Sequence, residues 1–191
     1  MTLRELLLKT RSYRRFYQDE TIGAGDLKEI VENVRFTPSA ANKQPLKFVI
    51  VTDASMGGKI FALLKWAAYL KDWDGPGPGE RPSAYIVMLG NRKASPYIDG
   101  DYGIAMQTIL LSAVEKGYGG CLIASYDKEK VRQLLDIPEE LELSVVIALG
   151  KPKEEVVIDT AEDGDIKYWR DENRVHHVPK RSLEELIYKE V

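Results

Sequence analysis

Two stretches of the chain, A-Y-I-V-M-L-G (84–90) and L-S-V-V-I-A-L-G (143–150), are apolar along almost their whole length. Each is as long as one strand, and a strand without polar alternation must be covered on both faces. L-K-F-V-I-V-T (46–52) adds a β-branched run of strand length, and C-L-I-A (121–124) a shorter one. Segments with helical spacing lie between and around them. This pattern predicts an α+β fold, a central mixed sheet sandwiched by helices.

The helices carry their own punctuation. Thr2-Leu3-Arg4-Glu5 reads as a capping box, with Leu3, Leu6 and Leu7 following at helical spacing, so residues 1–9 are predicted helical. From about Asp26, Leu27, Ile30, Val31 and Val34 repeat at i, i+3, i+4, i+7, and this helix should stop before Pro38. P-S-A-A-N-K-Q-P (38–45) is bracketed by prolines and reads as a loop. Residues 58–73 are predicted helical, and D-G-P-G-P-G-E-R-P (74–82) an exposed irregular loop. G-I-A-M-Q-T-I-L-L-S-A-V-E-K-G (103–117) is apolar nearly all round and predicts a central helix. Asp127 is placed to cap K-E-K-V-R-Q-L-L. The last forty residues read as polar and irregular until Ser182-Leu183-Glu184-Glu185, a second capping box opening a C-terminal helix. No internal repeat is present, and residues 1–191 are expected to form a single domain.

Composition narrows the function classes. The chain has 191 residues, is 44% hydrophobic and carries a formal net charge of −3. That length supports one substantial core. The balance argues against a broad nucleic-acid footprint, which needs a net basic face. A single cysteine, Cys121, cannot form an internal disulfide and fits a reducing compartment. No apolar run approaches the roughly 20 residues of a membrane span. Glu5 and Asp19 break the acid-poor character of an import signal. The expected location is the cytoplasm.

Against that acidic background stands T-R-S-Y-R-R-F (10–16), with Arg11, Arg14 and Arg15 around Ser12. Lys180 and Arg181 precede the capped start of the last helix. Guanidinium forks, a hydroxyl and helix N–H groups are the groups that bind a phosphate, although a solvated surface face has the same charge pattern. Ser39, Asn42 and Gln44 can read the edge of a flat heterocycle or a sugar chain, or simply close an Asx-type turn. His176-His177 point to opposite sides in extended chain, which is poor chelating geometry. Cys121 reads as a small buried side chain rather than a nucleophile. The helical spacing of Trp66, Tyr69 and Trp73 favours core packing over stacking on a ligand. Arg15 is assigned to the surface, and Tyr13 and Phe16 to core anchors. The glycines of G-P-G-P-G-E and G-Y-G-G fit no dinucleotide fingerprint, and G-x-S-x-G, H-E-x-x-H and the P-loop pattern are absent.

Five stretches in order resemble the nitroreductase family of flavoproteins: R-S-Y-R-R-F (11–16), P-S-A-A-N-K-Q-P-L-K-F-V-I-V (38–51), G-Y-G-G-C-L-I-A-S (117–125), V-I-A-L-G-K-P-K-E (146–154) and P-K-R-S-L-E-E-L (179–186). The resemblance implies non-covalent FMN at the interface of a homodimer, with residues 151–191 reaching across it. On this reading Arg11 and Ser12, helped by Lys180 and Arg181, meet the phosphate and ribityl chain, and Tyr13 belongs to the same segment. Arg14 lies near the pyrimidine edge of the flavin. Pro38, Ser39, Ala40, Asn42 and Gln44 line the cofactor from the partner subunit. Leu122, Ile123 and Ala124 approach the reactive ring nitrogen, with Gly119 and Gly120 leaving room. The family departs from this chain at Thr10, where many relatives carry another arginine, and at Ala124, where some offer a hydroxyl.

The activity implied is two-step electron transfer from NADH or NADPH through FMN to a nitroaromatic, quinone or similar small acceptor. The flavin does the redox chemistry, so no catalytic side chain and no metal are required, and neither nucleic acid nor membrane is a partner. A non-catalytic FMN-binding or sensor protein would need the same residues.

Overall fold

The computed structural model describes residues 1–191. In chain order the elements are α1 (Leu3–Lys9), β1 (Phe16–Tyr17), α2 (Ala24–Glu32), β2 (Leu46–Val51), α3 (Ala54–Phe61), β3 (Ala84–Gly90) and α4 (Ile98–Glu115). They continue with β4 (Gly119–Ile123), α5 (Lys128–Leu134), β5 (Glu142–Pro152), β6 (Val156–Thr160), β7 (Trp169–Arg170), β8 (His176–Lys180) and α6 (Leu183–Leu186). No helix is long and apolar enough to cross a membrane.

The apolar runs form the centre, as their composition requires. β5 pairs antiparallel with β3 on one side (Ala84 opposite Leu149) and with β4 on the other (Gly119 opposite Gly150). β3 pairs antiparallel with β2, Leu46 opposite Gly90. The sheet therefore runs β4-β5-β3-β2, with β1 joined to the far end of β5. Parallel pairing enters at a bridge between Ser12 and Gly120, beside β4.

Period-two geometry divides the core between the two faces. Ala84, Ile86, Met88, Ile147 and Leu149 pack with Leu27 and Ile30 of α2 and with Ile98, Ala105, Ile109 and Ala113 of α4. Tyr85, Val87, Leu89, Val146 and Ala148 turn the other way, against Ile60 of α3, Val131 of α5, and Trp66 and Tyr126. This is the expected α+β sandwich. Phe16 is fully buried where any Cβ on Gly150 would stand, 2.8 Å from its ring, which anchors the chain after the arginine motif.

Both predicted capping boxes are present, at Thr2/Glu5 and Ser182/Glu185, and Asp127 caps α5. Several expectations need correction. The helix expected at 58–73 is α3, which starts at its Asp53 cap and ends at Phe61. Ala67 beyond it has φ +37°, so the helical pattern breaks, and Trp66 turns into the core beneath Gly75. The helix expected at 103–117 begins five residues earlier, at Ile98. Its first turn contains a buried acid, Asp101, which disguised it. The last forty residues are not irregular: β6 and β8 pair in parallel and β7 joins β8, forming a second, three-stranded sheet. The terminal helix is only four residues long. In α1 none of the residues is buried, and Leu3, Leu7 and Leu8 are exposed.

Candidate functional site

The arginine motif is held in an extended path beside β4. The Thr10 hydroxyl donates to the Leu6 carbonyl at 2.7 Å and closes α1. The Tyr13 N–H then donates to the Gly120 carbonyl at 3.1 Å, and the Tyr13 hydroxyl to the Lys9 carbonyl at 3.0 Å. A Cβ at Gly119 would lie 2.5 Å from the Tyr13 ring, and one at Gly120 would meet the Ala148 carbonyl at 2.5 Å. The side on which a Cβ would project is thus filled by the chain itself at both glycines. Glycine is needed so that Tyr13 and β5 can approach β4 closely.

Glu154, just past the end of β5, fixes the motif from below. Its fully buried side chain accepts the backbone N–H groups of Arg14 and Arg15, the latter at 3.2 Å. Its second oxygen accepts from Arg170 Nη2 at 3.1 Å. Arg15 is not at the surface. It is 5% exposed and donates twice to Glu80, at 2.7 and 2.6 Å. Those hydrogen bonds hold the Glu80 carboxyl down at about 2. The Gly/Pro loop 74–82 is therefore clamped to the motif rather than free. Consecutive residues thus point in different directions: Arg15 inward to Glu80, Arg14 outward over the Tyr168 ring at 4.9 Å. Arg11 Nη2 donates to the Leu7 carbonyl at 2.7 Å, its Nε is buried without a partner, and Ser12 is exposed.

At the end of β4 beside this segment, Ile123 is buried while Leu122 and, just past the strand, Ala124 are exposed, leaving an apolar strip next to a row of donors. Cys121 is buried, and burial pushes its thiol up to about 12, as befits an inert core residue.

The loop 38–45 stands at the other edge of the sheet, before β2. Its shape comes from Asp101 of α4, which accepts from the Ser39 hydroxyl at 2.7 Å and the Ala40 N–H at 3.1 Å. The Ser39 oxygen accepts the Gln44 N–H at 2.9 Å, and Gln44 Nε2 donates to Asn42 Oδ1 at 3.0 Å. Ala41, Asn42 and Gln44 all have positive φ (48°, 53° and 46°), so the loop is a strained turn, not relaxed coil. Pro38, Ser39, Asn42 and Gln44 line a cleft of about 530 Å³ that continues along β2 to Phe48 and Ile50.

Within one chain the expected site residues therefore fall into separate groups. Arg11, Ser12, Tyr13, Arg14, Gly119, Gly120, Leu122, Ile123 and Ala124 come together at the β4 edge. Pro38, Ser39, Ala40, Asn42 and Gln44 stand beyond β5 and β3, before the strand at the opposite edge of the sheet. Lys180 closes β8, and Arg181 pairs with Glu185 at 3.3 Å; neither bonds to Arg11 or Ser12. His176, at the opposite end of β8, is the residue that reaches the motif, with Nε2 3.1 Å from Arg14 Nη1. His177 turns away from it, stacked on Trp169 at 4.0 Å and hydrogen-bonded to Asp159 at 2.8 Å. The opposite orientations expected for this pair hold.

The donor set fits a flat, anionic cofactor: arginines and an exposed hydroxyl beside an apolar strip, with one buried guanidinium nitrogen, Arg11 Nε, still lacking an acceptor. The fold is an α+β sandwich whose β4 edge carries an arginine-rich segment. A model of the Nitroreductase family matches residues 7–151, and the chain belongs to that family. A protein of Archaeoglobus fulgidus with the provisional name NADH dehydrogenase/NAD(P)H nitroreductase is 31% identical over 165 residues, spanning 82% of this chain and 90% of that one. An iodotyrosine deiodinase of Thermotoga neapolitana is 26% identical, spanning 78% and 88%. An FMN-dependent nitroreductase of Clostridium difficile R20291 shares the fold with a TM-score of 0.65, at 21% identity over 80% of this chain and 89% of that one.

Proposed function

We propose that this protein binds FMN and passes electrons from NADH or NADPH to a nitroaromatic, quinone or similar small acceptor, one substrate following the other. The observation that carries this reading is the Arg11–Arg14 segment, pinned by Glu154 and Gly120 beside the exposed strip Leu122/Ala124. Bound FMN supplies the hydride and electron transfer itself. Arg11 and Ser12 bind its phosphate and ribityl chain, joined by Lys180 and Arg181. The Arg14 charge favours the anionic reduced form at the pyrimidine edge. The backbone of 122–124 orients the ring.

A homodimer completes the site. Pro38, Ser39, Ala40, Asn42 and Gln44 stand at the edge opposite the arginines, so a cofactor touching both groups takes them from different copies. The exposed Leu3, Leu7 and Leu8 of α1, and the exposed Ile187, Tyr188 and Val191, offer apolar surface for the second copy, with the residues after Lys180 reaching across. A cytoplasmic setting suits the lone, reduced Cys121.

The test is reconstitution. The protein should take up FMN, lose its yellow colour with NADH or NADPH, and regain it when a nitroarene is added. Failure to retain FMN overturns the reading. Flavin that is retained but stays oxidised for minutes with both donors marks a binding protein instead of an enzyme.

A further inference from the structure

Besides the roles of Arg170 and Lys180, the second sheet reaches the arginine motif through one direct contact. Its β8 begins with His176, which is completely buried, and whose Nε2 lies 3.1 Å from Arg14 Nη1. A guanidinium has donors only, so the imidazole must accept at Nε2 and carry its proton on Nδ1. His176 is therefore neutral. The groups facing it agree: Arg14 from the motif, Arg170 from β7 and His177 from β8 all oppose a further positive charge, and the Glu154 carboxylate is engaged by Arg170. Burial is the largest cause, and together these hold the imidazole down at about 4. Its Nδ1–H is buried with no partner in the chain, a costly arrangement for a residue that only fills space.

The other restraints on Arg14 converge on the same point. Glu154 holds its backbone N–H, the Ser12 carbonyl accepts from Nη1 at 3.2 Å, and the Tyr168 ring lies under the guanidinium at 4.9 Å. The Tyr168 and His176 rings are themselves 5.2 Å apart. A long, flexible side chain at a cofactor edge is thus clamped from the C-terminal sheet, across 162 residues of sequence.

We propose that His176 is a positioning residue for Arg14: as a neutral acceptor it locks the guanidinium in place, and so sets how strongly the site favours reduced over oxidised FMN. This rests on the flavin reading for the location of the cofactor, but the lock itself belongs to the protein alone. A fixed charge stabilises an anion more than one averaged over several rotamers, because no reorganisation is needed when charge develops. Gln at 176 can offer a carbonyl oxygen in place of Nε2. Ala cannot.

The experiment has two readouts on the full chain. Nitrogen NMR of the protein without flavin should show His176 as the Nδ1–H tautomer, and an Arg14 side chain that is ordered in wild type, ordered in His176→Gln and mobile in His176→Ala. The potential of bound FMN should fall in His176→Ala by about 30 mV, a ten-fold loss of preference for the reduced form, and return towards wild type in His176→Gln. An Nε2–H tautomer, an equally ordered Arg14 in the alanine variant, or an unchanged potential overturns the proposal. If His176→Ala does not fold, the wild-type tautomer and the glutamine potential decide it. Wild-type protein that takes up no FMN overturns the flavin reading, while the NMR arm still decides whether His176 holds Arg14.

Discussion

The carboxylate of Asp101, on α4, receives the hydroxyl of Ser39 at 2.7 Å, so a helix buried under the sheet dictates the shape of an exposed loop. Asp101 also takes the Ala40 N–H, and the next residue, Ala41, is already left-handed. Replacing Asp101 by alanine leaves both donors without their acceptor and should cost about 2 kcal/mol. Urea unfolding measures that loss. Hydrogen exchange should show the 38–45 amides opening first, and FMN affinity should drop with them.

Arg15 and Glu80 form a well-enclosed ion pair, with side chains 6% and 17% exposed. Glu80→Ala strands a buried guanidinium and should destabilise by roughly 3–5 kcal/mol. Arg15→Met combined with Glu80→Leu removes both charges and should recover much of it. A double-mutant cycle by chemical denaturation checks both figures.

Acid should unfold the protein in two stages. His176 sits below its unfolded value of about 6.5, so its contribution is complete above that pH and is lost as pH falls through about 4. The unfolded chain binds the extra proton in this window, which is why stability falls with pH. Glu80 is also depressed, to about 2, and its contribution disappears lower, between about 4.3 and 2. Each stage is on the order of 3 kcal/mol at about 1.4 kcal/mol per unit. Stability measured against pH should lose its upper stage in His176→Gln and its lower stage in Glu80→Gln.

Gly119→Ala places a methyl 2.5 Å from the Tyr13 ring and 2.7 Å from Pro152. Tyr13 has to move, and the motif moves with it. A cost of about 1–3 kcal/mol is expected. FMN should bind more weakly in the folded variant, and Tyr13→Ala in the same chain should restore much of the stability without restoring the binding.

The sheet and its helices were legible because burial on both faces leaves an unmistakable apolar run, and because Thr2, Asp127 and Ser182 announce helix starts with their side chains. The second sheet was hidden. Val156–Thr160 and His176–Lys180 are half-exposed strands with mixed polarity, and pairing between segments so far apart leaves no local pattern. The supporting carboxylates were hidden for a related reason. Asp101, Glu80 and Glu154 look like ordinary surface acids until the fold closes over them. Glu154 offered the best signal, as the acid that ends V-I-A-L-G-K-P-K-E, directly after a buried strand. Arg15 was misread because its partner lies 65 residues away in a loop whose glycines and prolines suggested solvent.

The separation of the arginine motif and the 38–45 loop onto opposite edges of one sheet has a statistical consequence for the proposed dimer. A chain broken at Arg11 and Arg14 and a chain broken at Ser39 and Asp101 are each inactive alone. Mixed equally and allowed to exchange subunits at random, they form mixed pairs in about half of cases. Each mixed pair gathers both defects into one site and leaves the other whole. About a quarter of all sites should then recover, a subunit complementation that a site confined to one chain could never show.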